Sequence, residues 1–171
     1  MGSSVIKDLG PAVIVWDPDG DNLELQPTFG TVTLKDELLG ADIKEDGSGE
    51  SPVDTVTTGR NVSLEVPMTR STIDQLLTVI HGSEKDAFNN LLVKNSVGEA
   101  VYTNAKKIII KPMVNGVADS DTSTWVVIFK AYPFIKAELG WDNSAQRVWL
   151  VEFKVYPDSS NQFYQYGNAT T

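Results

Sequence analysis

His81 is the only histidine in the 171 residues, so any Ser-His-Asp relay or imidazole base would have to use it. It stands directly before Gly82 at the end of a helical pattern. There a last-turn cation and a C′ glycine account for both residues. The sequence has no Gly-Xaa-Ser-Xaa-Gly elbow and no pair of histidines to hold zinc. Asp17-Pro18-Asp19-Gly20-Asp21 has the look of a calcium loop. An EF-hand needs glycine at its sixth position and glutamate at its twelfth, and those positions hold Asn22 and Thr28. A tight acidic turn between two strands explains the run. Asp119-Ser120-Asp121 reads in the same way, as a hairpin tip. No carboxylate pair is tied to a cleft, so we expect no catalytic centre, no cofactor and no bound metal.

The bulk composition points the same way. Fourteen basic and 23 acidic residues give a formal charge of −9, the opposite of a nucleic-acid-binding face. Such a surface repels phosphate. Cysteine is absent, which excludes disulfides and thiolate metal sites and fits assembly in a reducing cytoplasm. Met1-Gly2-Ser3-Ser4-Val5-Ile6 lacks the charged and apolar regions of a signal peptide, and no apolar run is long enough for a membrane span. The length suits one domain with a sizeable core.

The elements follow from periodicity. Ala12-Val13-Ile14-Val15-Trp16 predicts a buried strand, followed by a turn over Asp17 to Asn22. Leu23 to Gln26 and Phe29 to Leu34 predict further strand pieces. Lys35 to Val53 is acidic and glycine-containing and reads as a long loop. Asp54 to Val66 predicts a strand with Val62, Leu64 and Val66 on one face. Ser71-Thr72-Ile73-Asp74 has the form of a capping box with Ser71 as N-cap. Ile73, Leu76, Leu77 and Ile80 then fall on one helical stripe. Glu84 to Asn95 reads as a second, weaker helix or an irregular segment, with Phe88, Leu91 and Leu92 on a shared face.

The rest is strand-rich. Ala105–Val114 and Arg147–Tyr156 predict strands, the latter with Trp149, Val151, Phe153 and Val155 on one face. In Thr124–Ile135, Trp125, Val127, Phe129 and Ala131 oppose Val126, Ile128 and Tyr132. Asn115-Gly116 and Trp141-Asp142-Asn143 predict turns. The aromatic tail Gln162-Phe163-Tyr164-Gln165-Tyr166 either frays or docks. Several strands are apolar on both faces and need cover on two sides. One helix cannot provide it, so partner subunits are expected.

The segment Asp36 to Asp54 admits two readings. Its composition suits a solvated surface loop. Its apolar residues Leu38, Leu39, Ile43 and Val53 suit a loop that orders on a neighbouring subunit.

The run from Ser51-Pro52-Val53-Asp54 through Val66-Pro67, followed by the capped helix, resembles the tail tube (major tail) proteins of long-tailed bacteriophages. The resemblance covers most of the chain at the level of layout. Inner tubes of contractile tails and of type VI secretion systems share the same kind of fold. The resemblance implies a mainly β fold, a sandwich or barrel with one flanking helix, whose strands contribute to a ring-wide lumen barrel. It implies a single domain over 1–171 with an N-terminal arm at 1–10, an inter-ring loop at 35–53 and a C-terminal tail at 158–171. Six copies would form a ring, and rings would stack into a hollow conduit for DNA. Leu38, Leu39, Ile43 and Val53 in the loop, with Ile73, Leu76 and Leu77 on the helix, would make the contacts between subunits and rings. The implied partners are the chain itself and the tape-measure, tail terminator and distal tail proteins. DNA would be a transient guest in the lumen, and no membrane is involved. The implied location is the virion tail, after synthesis in the host bacterial cytoplasm. An alternative is a glycan- or ligand-binding β-sandwich of a virion decoration or receptor-binding protein, with Trp125, Trp141, Trp149 and Tyr132 as stacking platforms.

Overall fold

A computed structural model describes residues 11–25, 30–69, 72–136 and 148–167. The expected arm at 1–10, Ser71, the turn at Trp141-Asp142-Asn143 and the last residues of the tail lie outside them. The described residues are mainly β with one α-helix. Its strands are β1 (Ala12–Trp16), β2 (Leu23–Glu24), β3 (Thr33–Ile43), β4 (Asp54–Met68), β5 (Ser83–Lys85), β6 (Leu91–Val93), β7 (Lys106–Val114), β8 (Val117–Ala118), β9 (Val126–Lys136), β10 (Trp149–Tyr156) and β11 (Tyr164–Tyr166). The helix α1 is Ile73–Val79.

Nine strands form one antiparallel sheet in the order β2-β1-β7-β9-β10-β4-β3, with β8 beside β7 and β11 beside β9. The sheet curls strongly. β1 and β10 are separated by β7 and β9, which in a flat sheet puts them about 14 Å apart at roughly 4.8 Å per strand. Yet the rings of Trp16 and Phe153 lie 5.5 Å apart, centroid to centroid. The inner faces therefore meet in one core: Ile14 and Trp16 from β1, Leu64 and Val66 from β4, Ile108 from β7, Ile128 from β9, and Val151 and Phe153 from β10. Among the described residues β2 and β3 do not pair, so the sheet is curled and open, not a closed barrel.

β1 is buried throughout because its other face is covered too. Val13 and Val15 pack there with Ile109, Trp125 and Val127. The indole of Trp125 donates to the Asp119 carbonyl at 2.7 Å, and Lys111 Nζ sits 4.3 Å from its ring. The two-faced apolar strands read from the sequence are thus partly covered within one chain.

The alternation in β4 and β10 is as the sequence predicts: Val62, Leu64 and Val66 face Val155, Phe153 and Val151 across the ladder, all buried. In β9 the faces exchange partway along, so that Ala131 and Tyr132 both change sides. Lys106 pairs with Ala131 and Ile108 with Ile128, so β9 carries one residue more than β7 over this stretch. The bulge turns Ala131 into the inner core, whereas the sequence pattern puts it beside Trp125 and Val127. A bulge leaves no mark in the hydrophobic pattern when both faces are apolar.

Three expectations need correction. The predicted loop at 35–53 is strand as far as Ile43, because Lys35 to Ile43 pair with Ser63 to Asp54. The helix cap is one residue later than read: Thr72 Oγ1 accepts from Gln75 N at 3.2 Å, while Gln75 Oε1 accepts from Thr72 N at 2.9 Å. Gln75 outcompetes Asp74 because it also donates Nε2 to the Glu24 carbonyl at 2.8 Å. The buried stripe shifts with it, to Gln75 and Val79, and Ile73 is exposed. Residues 84–95 are not helical. β5 and β6 form a hairpin whose turn is organised by Asp86, which accepts from the N–H groups of Phe88 and Asn90 at 2.8 Å each. Phe88 lies on the surface at that turn.

Two outcomes test this packing. Leu64 is fully buried at the centre of the inner core, so Leu64→Ala should lower the unfolding free energy by about 2–5 kcal/mol in a urea titration. Gly82 has φ +72°, and a Cβ there would lie 2.6 Å from Ser96 Oγ and 2.7 Å from the Lys94 carbonyl oxygen. Gly82→Ala should therefore lower the unfolding free energy in a urea titration, by more than the roughly 1 kcal/mol that separates the two residues in ordinary contexts.

Candidate functional site

The ladder between β4 and β10 ends at Val62 opposite Val155. β4 extends back from there through Asn61 to Asp54, and over that length it pairs only with β3. Residues 36–43 and 54–61 thus leave the sheet as a two-stranded ribbon, about 25 Å long at roughly 3.3 Å per residue. Its end is a 3-10 turn at Asp46–Ser48. Along the ribbon itself Leu39 alone is half-buried and the other residues are exposed, including Leu38 (58%), Ile43 (45%) and Val56 (49%), with Val53 (46%) just beyond.

An isolated two-stranded hairpin is marginal in water. Here local bonds support it. Val53 N donates to the Ile43 carbonyl at 2.9 Å, Thr55 Oγ1 donates to Asp42 at 2.8 Å, and Lys35 Nζ lies 2.6 Å from Glu65 at the base. A register shift falls between Leu39 and Gly40, where Thr58 is the additional residue of β4. Both long edges of the ribbon, that of β3 and that of β4 over 54–61, carry no strand among the described residues.

β11 explains what happens beside the root. β10 pairs with β9 from Lys136 to Lys130, and β11 pairs with the same strand from Ile128 to Val126. Between them residues 157–163 leave the sheet in a turn held by Asp158, which accepts from Ser160 N and Gln162 N at 2.9 and 2.8 Å. β4 does not follow β11. A cleft of about 640 Å³ opens beside the end of the β4–β10 ladder, bordered by Arg60, Asn61, Lys154, Tyr156 and Phe163. Asp36 Oδ2 accepts the Tyr164 hydroxyl at 2.5 Å and Arg60 at 3.2 Å. The bond to Asp36, with some help from burial, pushes the Tyr164 phenol up to about 12. The aromatic tail therefore docks, as one of its two expected outcomes.

The residues expected at subunit contacts divide into two groups. Leu38, Leu39, Ile43 and Val53 all lie on or beside the ribbon. Leu76 and Leu77 are half-buried on α1, Leu76 against the inner core, and only Ile73 is exposed. The strand character of residues 35–43, which makes one of the ribbon's edges, and the Tyr164–Asp36–Arg60 group are absent from the sequence reading. The long alternating run around β4 was the one available signal for the edges.

His81 joins three segments rather than ending a helix in solvent. Its Nδ1 shares a hydrogen bond with the Tyr132 hydroxyl, and its Nε2 lies 3.4 Å from Glu99. Burial and then the Glu99 charge raise the Tyr132 phenol above its ordinary value. Trp125 and Tyr132 are buried and Trp149 packs against the inner core, so these rings are not laid open as stacking platforms. Among the described residues no group of three or more His, Asp or Glu side chains could hold a metal ion, and no helix is long and apolar enough to cross a membrane.

No protein-family model and no curated protein matches this sequence. Among solved structures, a chain in the "Cryo-EM structure of the anti-feeding prophage (AFP) baseplate, 6-fold symmetrised" is similar over 90% of this chain and 92% of its own, with 10% identity and a TM-score of 0.45.

The Tyr164 geometry has a pH signature. A phenol whose folded pKa lies above its unfolded value near 10 stabilises the fold fully below pH 10 and loses that contribution as pH rises through about 12. In denaturant titrations between about pH 9.5 and 12, the wild-type chain should lose stability more steeply than Tyr164→Phe.

Proposed function

We propose that this chain is a structural subunit of a phage tail whose copies join through the β3–β4 ribbon. The observation that carries the reading is the ribbon itself: two long strand edges and several apolar side chains held away from the sheet. Exposed edges of this length are templates for further strands, and proteins seldom leave them bare. The edge of β4 over 54–61 and the edge of β3 lie on opposite sides of one ribbon. Pairing one copy's β4 with the next copy's β3 is a head-to-tail contact, and such contacts close into rings when the rotation permits. Ring closure also removes every free ribbon edge, as a barrel does.

In this reading six copies form each ring and the rings stack as a hollow tail tube. The ribbon strands would line the lumen. The turn region from Asp42 to Asp54 carries Asp42, Glu45, Asp46, Glu50 and Asp54 against one lysine, Lys44. That acidity would keep passing DNA from adhering. Ile43 and Val53 would bury against the adjacent ring, and Ile73 of α1 would meet a neighbouring subunit. The role is structural and not enzymatic, with no cofactor. The partners are further copies, the tape-measure protein inside the growing tube, the tail terminator and the distal tail protein. The chain would be made in the host cytoplasm and reside in the virion.

Concentrated protein viewed by negative-stain microscopy should show rings or tubes. Compact monomers alone, with and without tape-measure protein, would defeat the reading. Deleting Ala41 to Glu50 removes only ribbon tip, none of whose described residues is buried. The deleted chain should keep its melting transition while failing to elongate tubes.

A further inference from the structure

We propose that Tyr164, Asp36 and Arg60 act as a clamp that fixes the direction in which the ribbon leaves the sheet, so that the C-terminal strand β11 positions the ribbon. Asp36 stands opposite Val62, and Val62 is the last β4 residue paired with β10. Asp36 therefore sits at the level where β4 loses one of its two neighbours. Arg60 lies two residues farther out on the partner strand. Tyr164 lies on β11, a strand anchored to β9 at Ile128, Val127 and Val126. The flanking bonds Phe129 N to the Phe163 carbonyl at 3.1 Å and Gly167 N to the Trp125 carbonyl at 2.8 Å hold β11 to β9.

One carboxylate oxygen receives both donors, at 2.5 Å from the phenol and 3.2 Å from the guanidinium. Hydrogen bonds to an ionised acceptor are about twice as strong as neutral ones. This oxygen ties the root of the ribbon directly to the C-terminal strand, and its leverage on the far end is large. Neighbouring strands normally twist against each other by about 20–25°. A freedom of that size at the root would sweep a tip about 25 Å away through roughly 9 Å, about two strand spacings. A docking element with that play would seldom present its edges in register to a partner. The geometric claim is independent of what the ribbon meets; its bearing on assembly rests on the reading above.

The chain contains no cysteine, so two introduced cysteines give a unique spin-label pair. Gly47 in the ribbon's end turn has open space where a Cβ would stand, and Val117 on β8 is 69% exposed. In the Gly47→Cys, Val117→Cys background, pulsed electron–electron distances are measured on dilute, unassembled full-length protein. The parent should give one narrow distance. Tyr164→Phe, which removes only the hydroxyl, should broaden it, while Tyr166→Phe should leave it narrow. A distribution that stays narrow in Tyr164→Phe, or that broadens equally in Tyr166→Phe, overturns the clamp. Should Tyr164→Phe lose its far-ultraviolet dichroism, Asp36→Asn carries the same test with the same two outcomes. Because the measurement is made on monomers, a chain that never forms rings leaves this result intact. A chain that forms rings with an unclamped ribbon refutes the clamp alone.

Discussion

β4 has fifteen residues and its neighbour β10 has eight, and the distinctive geometry of the molecule follows from that mismatch. Backbone donors and acceptors in a strand must be paired with protein or with water. Over Val62 to Glu65 both sides of β4 are used, by β10 and by β3, and from Val62 to Met68 its alternate side chains sink into a core almost free of solvent contact. Over Asp54 to Asn61 one side carries no strand among the described residues. The side chains change character at the same residue, from Val62, Leu64 and Val66 to the polar and small residues Thr55, Thr57, Thr58, Gly59 and Asn61. A single strand thus divides into an anchored half and a projecting half.

The anchored half could be read in the sequence because burial on one face imposes a period of two. β1, β4 and β10 carry that period or an unbroken apolar run, and each lies where the pattern puts it. The parts that read differently share a physical cause. β3 is acidic and largely exposed, so no hydrophobic period marks it; it is a strand because β4 offers it a ladder. The β5–β6 hairpin depends on Asp86 gripping its own turn, and Leu91 and Leu92 gave a helical spacing by coincidence. The cap of α1 depends on a contact between Gln75 and the carbonyl of Glu24, 51 residues away. Tyr164 and Asp36 are separated by 128 residues, and no local pattern announces such a bond.

Charge is distributed in a way that suits this division. Lys111, Lys130 and Lys154 rest on the rings of Trp125, Tyr102 and Phe134, where their aliphatic stems add to the cover of the sheet. Lys106, Lys107 and Lys136 pair with Asp17, Asp19 and Glu152. These cations are therefore engaged along the body of the sheet, and much of the surplus negative charge falls on the ribbon and its turn. Exposed pairs of this kind add little stability each, but they confine the acidic field to one end of the strand pair.

The irregularity at Leu39 and Gly40 has a mechanical meaning. A ribbon with no buried face is free, in principle, to slide along its own ladder, since no core penalises a slip. One unmatched residue, Thr58, blocks that motion. A Cβ on Gly40 would come within 3.0 Å of Thr55 Cγ2, so the crowded stagger accepts glycine at that point. Sliding by a single position would force the kink to migrate onto a bulkier side chain. The order of side chains along each rim is thereby settled before any second molecule arrives, and two such rims can meet like the teeth of a ratchet with a preset offset.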